Sequence, residues 1–206
     1  KIVTHHWSSN YEKGHDFYQA LDKLLDDEDF KNKYEFTYIG NYPTNLEYRN
    51  TKLLPVMKKN ELMKELRNHH IYLTGSKNEA AGYHVIEGIS SGLPILYYDS
   101  GGVPEYSRGC GLKFTDSNFE GQFNKMRQEY FNYLPVVEKT IFSGQLMAKN
   151  YLSLFENLLN NQKLSSDQYD SANSFYVKKY FLFYKDITLD IYKHVYAIPE
   201  RILRLL

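Results

Sequence analysis

The chain has 206 residues, enough for one ordinary domain with an appendage and a proper hydrophobic core. Lysine plus arginine equals aspartate plus glutamate at 25 each, so overall charge gives no reason to expect a nucleic-acid backbone as partner. Cys110 is the single cysteine, which excludes an intramolecular disulfide and fits a reduced compartment; no apolar run approaches the roughly 18 residues of a membrane span, and a cytoplasmic location is the default expectation.

The sequence begins at Lys1 rather than Met and enters an apolar run within one residue, the expectation for a piece of a longer protein. Residues 1–6 read as a buried strand, 7–14 as a polar loop, and 15–25 as a helix with Phe17, Leu21 and Leu24 on one face. Residues 34–40 alternate as a second strand, 41–50 form a turn-rich connection containing Pro43, and 52–56 make a short third strand. A helix over 60–68 turns Leu62, Met63 and Leu66 inward and leads to a strand at 71–74. The helical pattern Val85, Ile86, Ile89, Leu93 follows, then a strand at 94–98. After Asp99 a tight Gly101-Gly102 turn introduces a short helical segment at 104–108 and a last strand at 110–114. This strict alternation predicts an α/β fold, a Rossmann-like parallel sheet with helices on both faces, over residues 1–161, with 118–161 helical. Residues 162–173 are polar and serine-bearing and read as a linker. Beyond them, 174–206 form an amphipathic helical tail: Tyr176, Tyr180, Phe183, Ile187, Ile191 and Val195 recur at helical spacing, and Lys178, Lys179, Lys185 and Lys193 lie off that stripe.

The chemistry concentrates in residues 72–105. In a single helix Glu79 and Glu87 would lie about 12 Å apart along the axis and about 80° apart around it, off any shared face. With Gly82 opening the helix, Glu79 hangs in the preceding loop and Glu87 sits on the first turns, so both border the helix N-terminus. Its free amides, from about Ala81 to His84, and its partial positive charge suit a phosphate. Ionised carboxylates only accept hydrogen bonds and therefore suit sugar hydroxyls. A phosphate in the middle with sugars at both ends describes a nucleotide sugar. The pairs His5-His6 and His69-His70 do not make a metal site, because adjacent side chains on a strand point apart and no Cys or Asp supports them at ligand spacing.

Residues 79–87, EAAGYHVIE, continuing to Gly92-Leu-Pro94 and Gly101-Gly-Val-Pro-Glu105, resemble the E-x7-E region of retaining glycosyltransferases with two Rossmann-like domains (the GT-B fold), especially glycosyltransferase family 4. Lys13-Gly14 in EKGHDFYQAL is similar to the family's K-G-x-D segment, and FTYIGN at 36–41 to its G-x-G strand end. The resemblance covers roughly residues 1–160 and implies one half of a GT-B fold: the C-terminal, donor-binding half, with the acceptor domain outside this chain. It implies a hexosyltransferase of polysaccharide assembly that moves a sugar, with retention, from a nucleoside diphosphate to a glycan or lipid-linked acceptor.

Carried over position by position, Glu79 is the catalytic candidate, holding hydroxyls of the transferred sugar near the reacting carbon, and Glu87 accepts from the ribose hydroxyls. The amides of Ala81, Gly82 and Tyr83 would meet the distal phosphate or sugar, Lys13 would neutralise the diphosphate, and the nucleobase would rest near residues 52–57. No metal and no other cofactor is implied, because a lysine and a helix terminus supply the charge stabilisation. The family's arginine after the first strand, in a V-G-R segment, has no counterpart in Thr4-His-His-Trp-Ser8; His5, His6, Ser8 or Asn10 would take over by hydrogen bonding. His84 stands where a proline is frequent, and its imidazole is a candidate to face the donor phosphate. The rival expectations are a non-catalytic recognition module and a nucleotide-sugar epimerase of the same fold. The tail has three placements open to it: on this same domain, back across the acceptor domain, or peripherally on the inner face of a membrane carrying lipid-linked acceptors.

Overall fold

The structure, a computed structural model of the chain, describes residues 1–159, so the expected linker at 162–173 and tail at 174–206 lie outside the described residues. Six strands, β1 (Ile2–His6), β2 (Phe36–Gly40), β3 (Lys52–Leu54), β4 (Ile71–Thr74), β5 (Ile95–Tyr98) and β6 (Gly111–Phe114), pair in parallel in the order β3-β2-β1-β4-β5-β6. The chain winds outward from β1 and then outward again from β4, so the strand order reverses between these two. In an open parallel sheet the crevice beyond the carboxyl ends of the strands at that reversal is where ligands bind.

Alternation along the strands divides the core into two layers. Ile2, Phe36, Tyr38, Ile71, Leu73, Leu96 and Phe114 face α1 (His15–Leu24) and the first turns of α6 (Phe119–Lys139). Val3, Ile39, Tyr72, Ile95 and Tyr97 face α3 (Lys59–Leu66), α4 (Tyr83–Ser90) and α5 (Val103–Ser107). Helices thus cover both faces, as the alternation predicts. The compact unit formed in this way is Lys1–Phe142, and α7 (Gly144–Leu159) belongs to a second unit, Ser143–Leu206. Among the described residues no helix is long and apolar enough to cross a membrane.

Several boundaries differ from the sequence reading for local reasons. The third strand stops at Leu54 rather than 56, because Pro55 brings no N–H to the ladder. The second starts at Phe36 because the amide of Tyr34 is taken by the carbonyl of Phe30. A four-residue helix, α2 (Glu28–Lys31), capped by the Asp27 side chain, is too short to show a period. The helical stretch 118–161 is divided at Thr140, which is extended and folds its hydroxyl onto the carbonyl of Val136, and Ser143 then receives the amide of Leu146 at the start of α7.

Several polar groups lie inside the core. The hydroxyl of Tyr18 accepts from the amide of Gly75 at 3.0 Å and from Thr4 at 3.2 Å, and its own proton points to His6 Nε2 at 2.7 Å. Removing it in Tyr18→Phe strands a buried amide, and we expect a loss of about 1–3 kcal/mol by urea unfolding.

His6, His15 and His84 are also buried. Burial pushes all three below the ordinary imidazole range: His15 to about 4, His84 to about 3, and His6 well down, with His84 and His5 adding to its shift. The folded chain keeps them neutral, whereas the unfolded chain takes up protons below about pH 6.5. Stability is therefore complete above that value and is lost as pH falls from about 6.5 towards 4, by about 1.4 kcal/mol per pH unit for each such group. Urea midpoints measured at about pH 7.5, 6 and 5 should fall in that order.

Candidate functional site

The loop after β1 is drawn against the loop after β4 by two glycines. Gly14 has φ 85°, and a Cβ there would lie 2.3 Å from the carbonyl carbon of Gly75, so the two backbones pass with no room for a side chain between them. The amide of Lys77 donates to the carbonyl of Glu12 at 2.7 Å and ties the same loops together. Tyr11–Lys13, read from the sequence as loop, is a single 3-10 turn. Asn10 caps it by accepting from the amide of Glu12, and Ser8 in turn accepts from the amide of Asn10. Ser8 and Asn10 thus shape the turn that presents Lys13. Lys13 Nζ lies 2.6 Å from Glu79 Oε2, with both side chains about one-fifth exposed.

The Gly101-Gly102 turn braces Glu79 from the other side. The amide of Gly102 donates to the Glu79 carbonyl at 2.7 Å, and a Cβ on Gly101, whose φ is 61°, would sit 2.5 Å from that same oxygen. Asn78 occupies the left-handed region at φ 55° and is held through its amide by Ser100 Oγ. Past this loop, Gly82 caps α4 without a side-chain hydrogen bond, and no acidic residue occupies the first turn. The amide of Tyr83 turns back to the carbonyl of Ala81, while among the described residues those of Ala81, Gly82 and His84 have no backbone acceptor. These three are the amides available to an anion at this helix terminus. The Tyr83 side chain is 73% exposed.

Glu87 is the next element of the site and does not stand alone. Its Oε2 lies 2.8 Å from Nε2 of His5, a buried imidazole of β1 in ring contact with Tyr72 of β4 and His84 of α4. His6, on the opposite face of β1, is tied to Tyr18 in the core. His84 turns inward, its Nε2 3.0 Å from Thr74 Oγ1. Because burial keeps His6 and His84 neutral, neither brings a cation to the α4 terminus in place of the missing arginine. Beside them a narrow crevice is lined by His5, His6, Trp7, Gly40, Val56 and Met57, the region in which the sequence reading puts the nucleobase.

The other histidine pair is occupied by structural bonds. His69 bonds the carbonyl of Glu65 and the hydroxyl of Thr37, and His70 the main-chain nitrogen of Lys1. Among the described residues no three His, Cys, Asp or Glu side chains converge as metal ligands.

Neither a protein-family model nor a curated protein matches the chain. Solved structures do. The pneumococcal O-GlcNAc transferase GtfA, in complex with UDP and GlcNAc, is 16% identical at a TM-score of 0.57, over 76% of this chain and 35% of its own. WaaG, a glycosyltransferase involved in lipopolysaccharide biosynthesis, is 16% identical at a TM-score of 0.53, over 67% of this chain and 40% of its own. TarM is 18% identical at a TM-score of 0.56, over 74% of this chain and 34% of its own. The chain spans well under half the length of each. At these identities the likeness is one of fold: this chain has a Rossmann-like α/β fold that matches part of the GT-B glycosyltransferase architecture.

Proposed function

We propose that this chain is the donor-binding half of a retaining glycosyltransferase resembling family 4, which moves a sugar from a nucleoside diphosphate to a hydroxyl of a glycan or lipid-linked acceptor. The observation that carries the reading is convergence. Lys13 after β1, Glu79 after β4, the uncapped start of α4 and Glu87 within it meet at the point where the strand order reverses. In this reading the diphosphate lies across the α4 terminus, where Lys13 and the amides of Ala81, Gly82 and His84 take up the charge that grows as its bond to the anomeric carbon breaks. Glu79 accepts from hydroxyls of the transferred sugar, the acceptor oxygen bonds to the anomeric carbon on the face the diphosphate leaves while its proton passes to the departing phosphate oxygen, and Glu87 accepts from the ribose. The base enters the crevice beside Trp7, Val56 and Met57. Charge stabilisation by Lys13 and the helix terminus makes the reaction metal-independent. The acceptor domain belongs to the portion of such enzymes that this chain does not span, so the chain alone binds donor without transferring it. A cytoplasmic setting agrees with the lone, unpaired Cys110.

One observation favours a second reading, a recognition module of the same fold in which transfer has been lost. Residues 4–8 hold no arginine where the resemblance leads one to expect a second cation for the diphosphate, and His6 and His84 are turned to Tyr18 and Thr74 rather than toward Lys13. Joining the chain to its acceptor domain and assaying sugar transfer separates the two.

The first test is calorimetric titration of the chain with UDP, GDP and UDP-glucose in the absence of metal. One nucleotide should bind. Glu87→Ala should weaken it about tenfold or more, the scale of a hydrogen bond to a charged group. Lys13→Ala should weaken the diphosphate while leaving affinity for the matching nucleoside unchanged. A folded chain that binds none of the three overturns the reading.

A further inference from the structure

The carboxylate of Glu87 is gripped from beneath. His5 is 2% exposed, and both of its ring nitrogens are engaged: Nε2 with Glu87 Oε2 at 2.8 Å, and Nδ1 with the hydroxyl of Tyr72 at 3.0 Å. The direction of each bond follows from what the partners can do. An ionised carboxylate has no proton to give, so Nε2 is the donor to Glu87. Tyr72 is fully buried, and burial holds its proton on, its hydroxyl lying well above the ordinary phenol range. That hydroxyl accepts from the His5 amide at 3.4 Å, and its own proton has two acceptors in reach: Nδ1 at 3.0 Å and the His5 carbonyl at 3.4 Å. The shorter contact is to Nδ1. A Tyr72 proton directed at Nδ1 leaves Nε2 as the ring nitrogen that carries the hydrogen donated to Glu87.

We propose that Tyr72 and His5 form a positioning relay that orients Glu87 for the two hydroxyls of a ribose, so that His5, without touching the ligand, makes the site select ribonucleotides over their deoxy forms. The inference rests on the reading of Glu87 as the ribose acceptor. A carboxylate has about four lone-pair sites. His5 occupies one on Oε2, and the side chain, about 30% exposed, keeps the rest for ligand hydroxyls. An unbraced glutamate on a solvated helix turn would lose rotamer freedom on binding. Here the buried donor fixes it before the ligand arrives. The relay also gives His5 a role at the carboxylate of Glu87 and not at the diphosphate.

The experiment is calorimetry on the full 206-residue chain with UDP, GDP and ADP, then with the 2′,3′-dideoxy form of whichever binds, for the unaltered chain, His5→Ala, His5→Gln and Tyr72→Phe. The unaltered chain should prefer the ribo form by about tenfold or more. His5→Ala should shrink that preference to about twofold or less by weakening the ribo form alone, because the dideoxy form has no hydroxyls for Glu87 to receive. His5→Gln, whose amide can donate from nearly the same place, should restore most of it. Tyr72→Phe releases the tautomer and should lower the preference by an intermediate factor, which keeps the test alive if His5→Ala does not fold. Equal weakening of both forms in His5→Ala means that the histidine merely supports the fold, and an undiminished preference means that it does nothing for Glu87; either overturns the relay alone. If the unaltered chain binds a nucleotide without distinguishing the two forms, the assignment of Glu87 to the ribose fails and takes the relay with it. If it binds no nucleotide, the donor-site reading itself falls.

Discussion

The contact between Gly14 and Gly75 is the constraint on which the site depends. In a parallel sheet the loops leaving neighbouring strands share an edge, but side chains ordinarily hold them apart. Here neither residue has one, and the carbonyl of Gly75 occupies the space in which a Cβ of Gly14 would lie. That approach converts the adjacency of β1 and β4 into an adjacency of Lys13 and Glu79, residues 66 positions apart in sequence. The Gly101-Gly102 turn does the same from the β5 side, packing its backbone on the backbone of Glu79. Three loops from three strands are thus locked together through main chain, and the charged side chains they carry are placed by that packing.

The layer beneath the loops is built differently, from rings with polar tips. His6, Tyr18, Tyr38, His15 and Tyr48 lie in ring contact, and His15 bonds the Tyr48 hydroxyl. Aromatic rings bury large areas while their heteroatoms remain able to bond one another, which lets the carboxyl end of the sheet be both closed to water and hydrogen-bonded. It also fixes the electrostatics. A buried imidazole in such a layer stays neutral, so it can orient a neighbour but cannot balance a phosphate. His84 illustrates the point by turning to Thr74, while among the described residues Lys13 is the cation paired with Glu79.

Much of this was legible from sequence, for identifiable reasons. Strand and helix order followed from apolar periodicity, which survives any detail of packing. The opening of α4 at Gly82 was readable because a glycine between two apolar patterns marks a boundary, and the loop position of Glu79 followed from it. What could not be read was anything set by distance between loops. The resemblance implies a phosphate for Lys13 and a sugar for Glu79, yet nothing in the sequence says that the two are bonded to each other. The partnership of His5 with Glu87 was hidden in the same way: alternation says that His5 and His6 point apart, but which of them lies under α4 depends on the handedness of the crossover. The amide of Tyr83 looked as available as its neighbours, and only the tight turn onto the Ala81 carbonyl removes it.

The Lys13–Glu79 pair raises the question of whether a donor must break it. At 2.6 Å and partly buried it is a short, charge-assisted bond, and losing it outright would oppose binding. The stoichiometry of donors argues against rupture. An ammonium has three hydrogens and Glu79 Oε2 takes one, while Glu79 keeps a second oxygen. Under the proposed donor reading, a diphosphate at the α4 terminus would meet the remaining hydrogens of Lys13 on one side as sugar hydroxyls meet the free oxygen of Glu79 on the other, with the pair intact between them. On this view the bond is a bridge that holds both groups in the positions the proposed donor requires. Such an arrangement lowers the ordering penalty of binding and couples the two ends of the donor through one lysine.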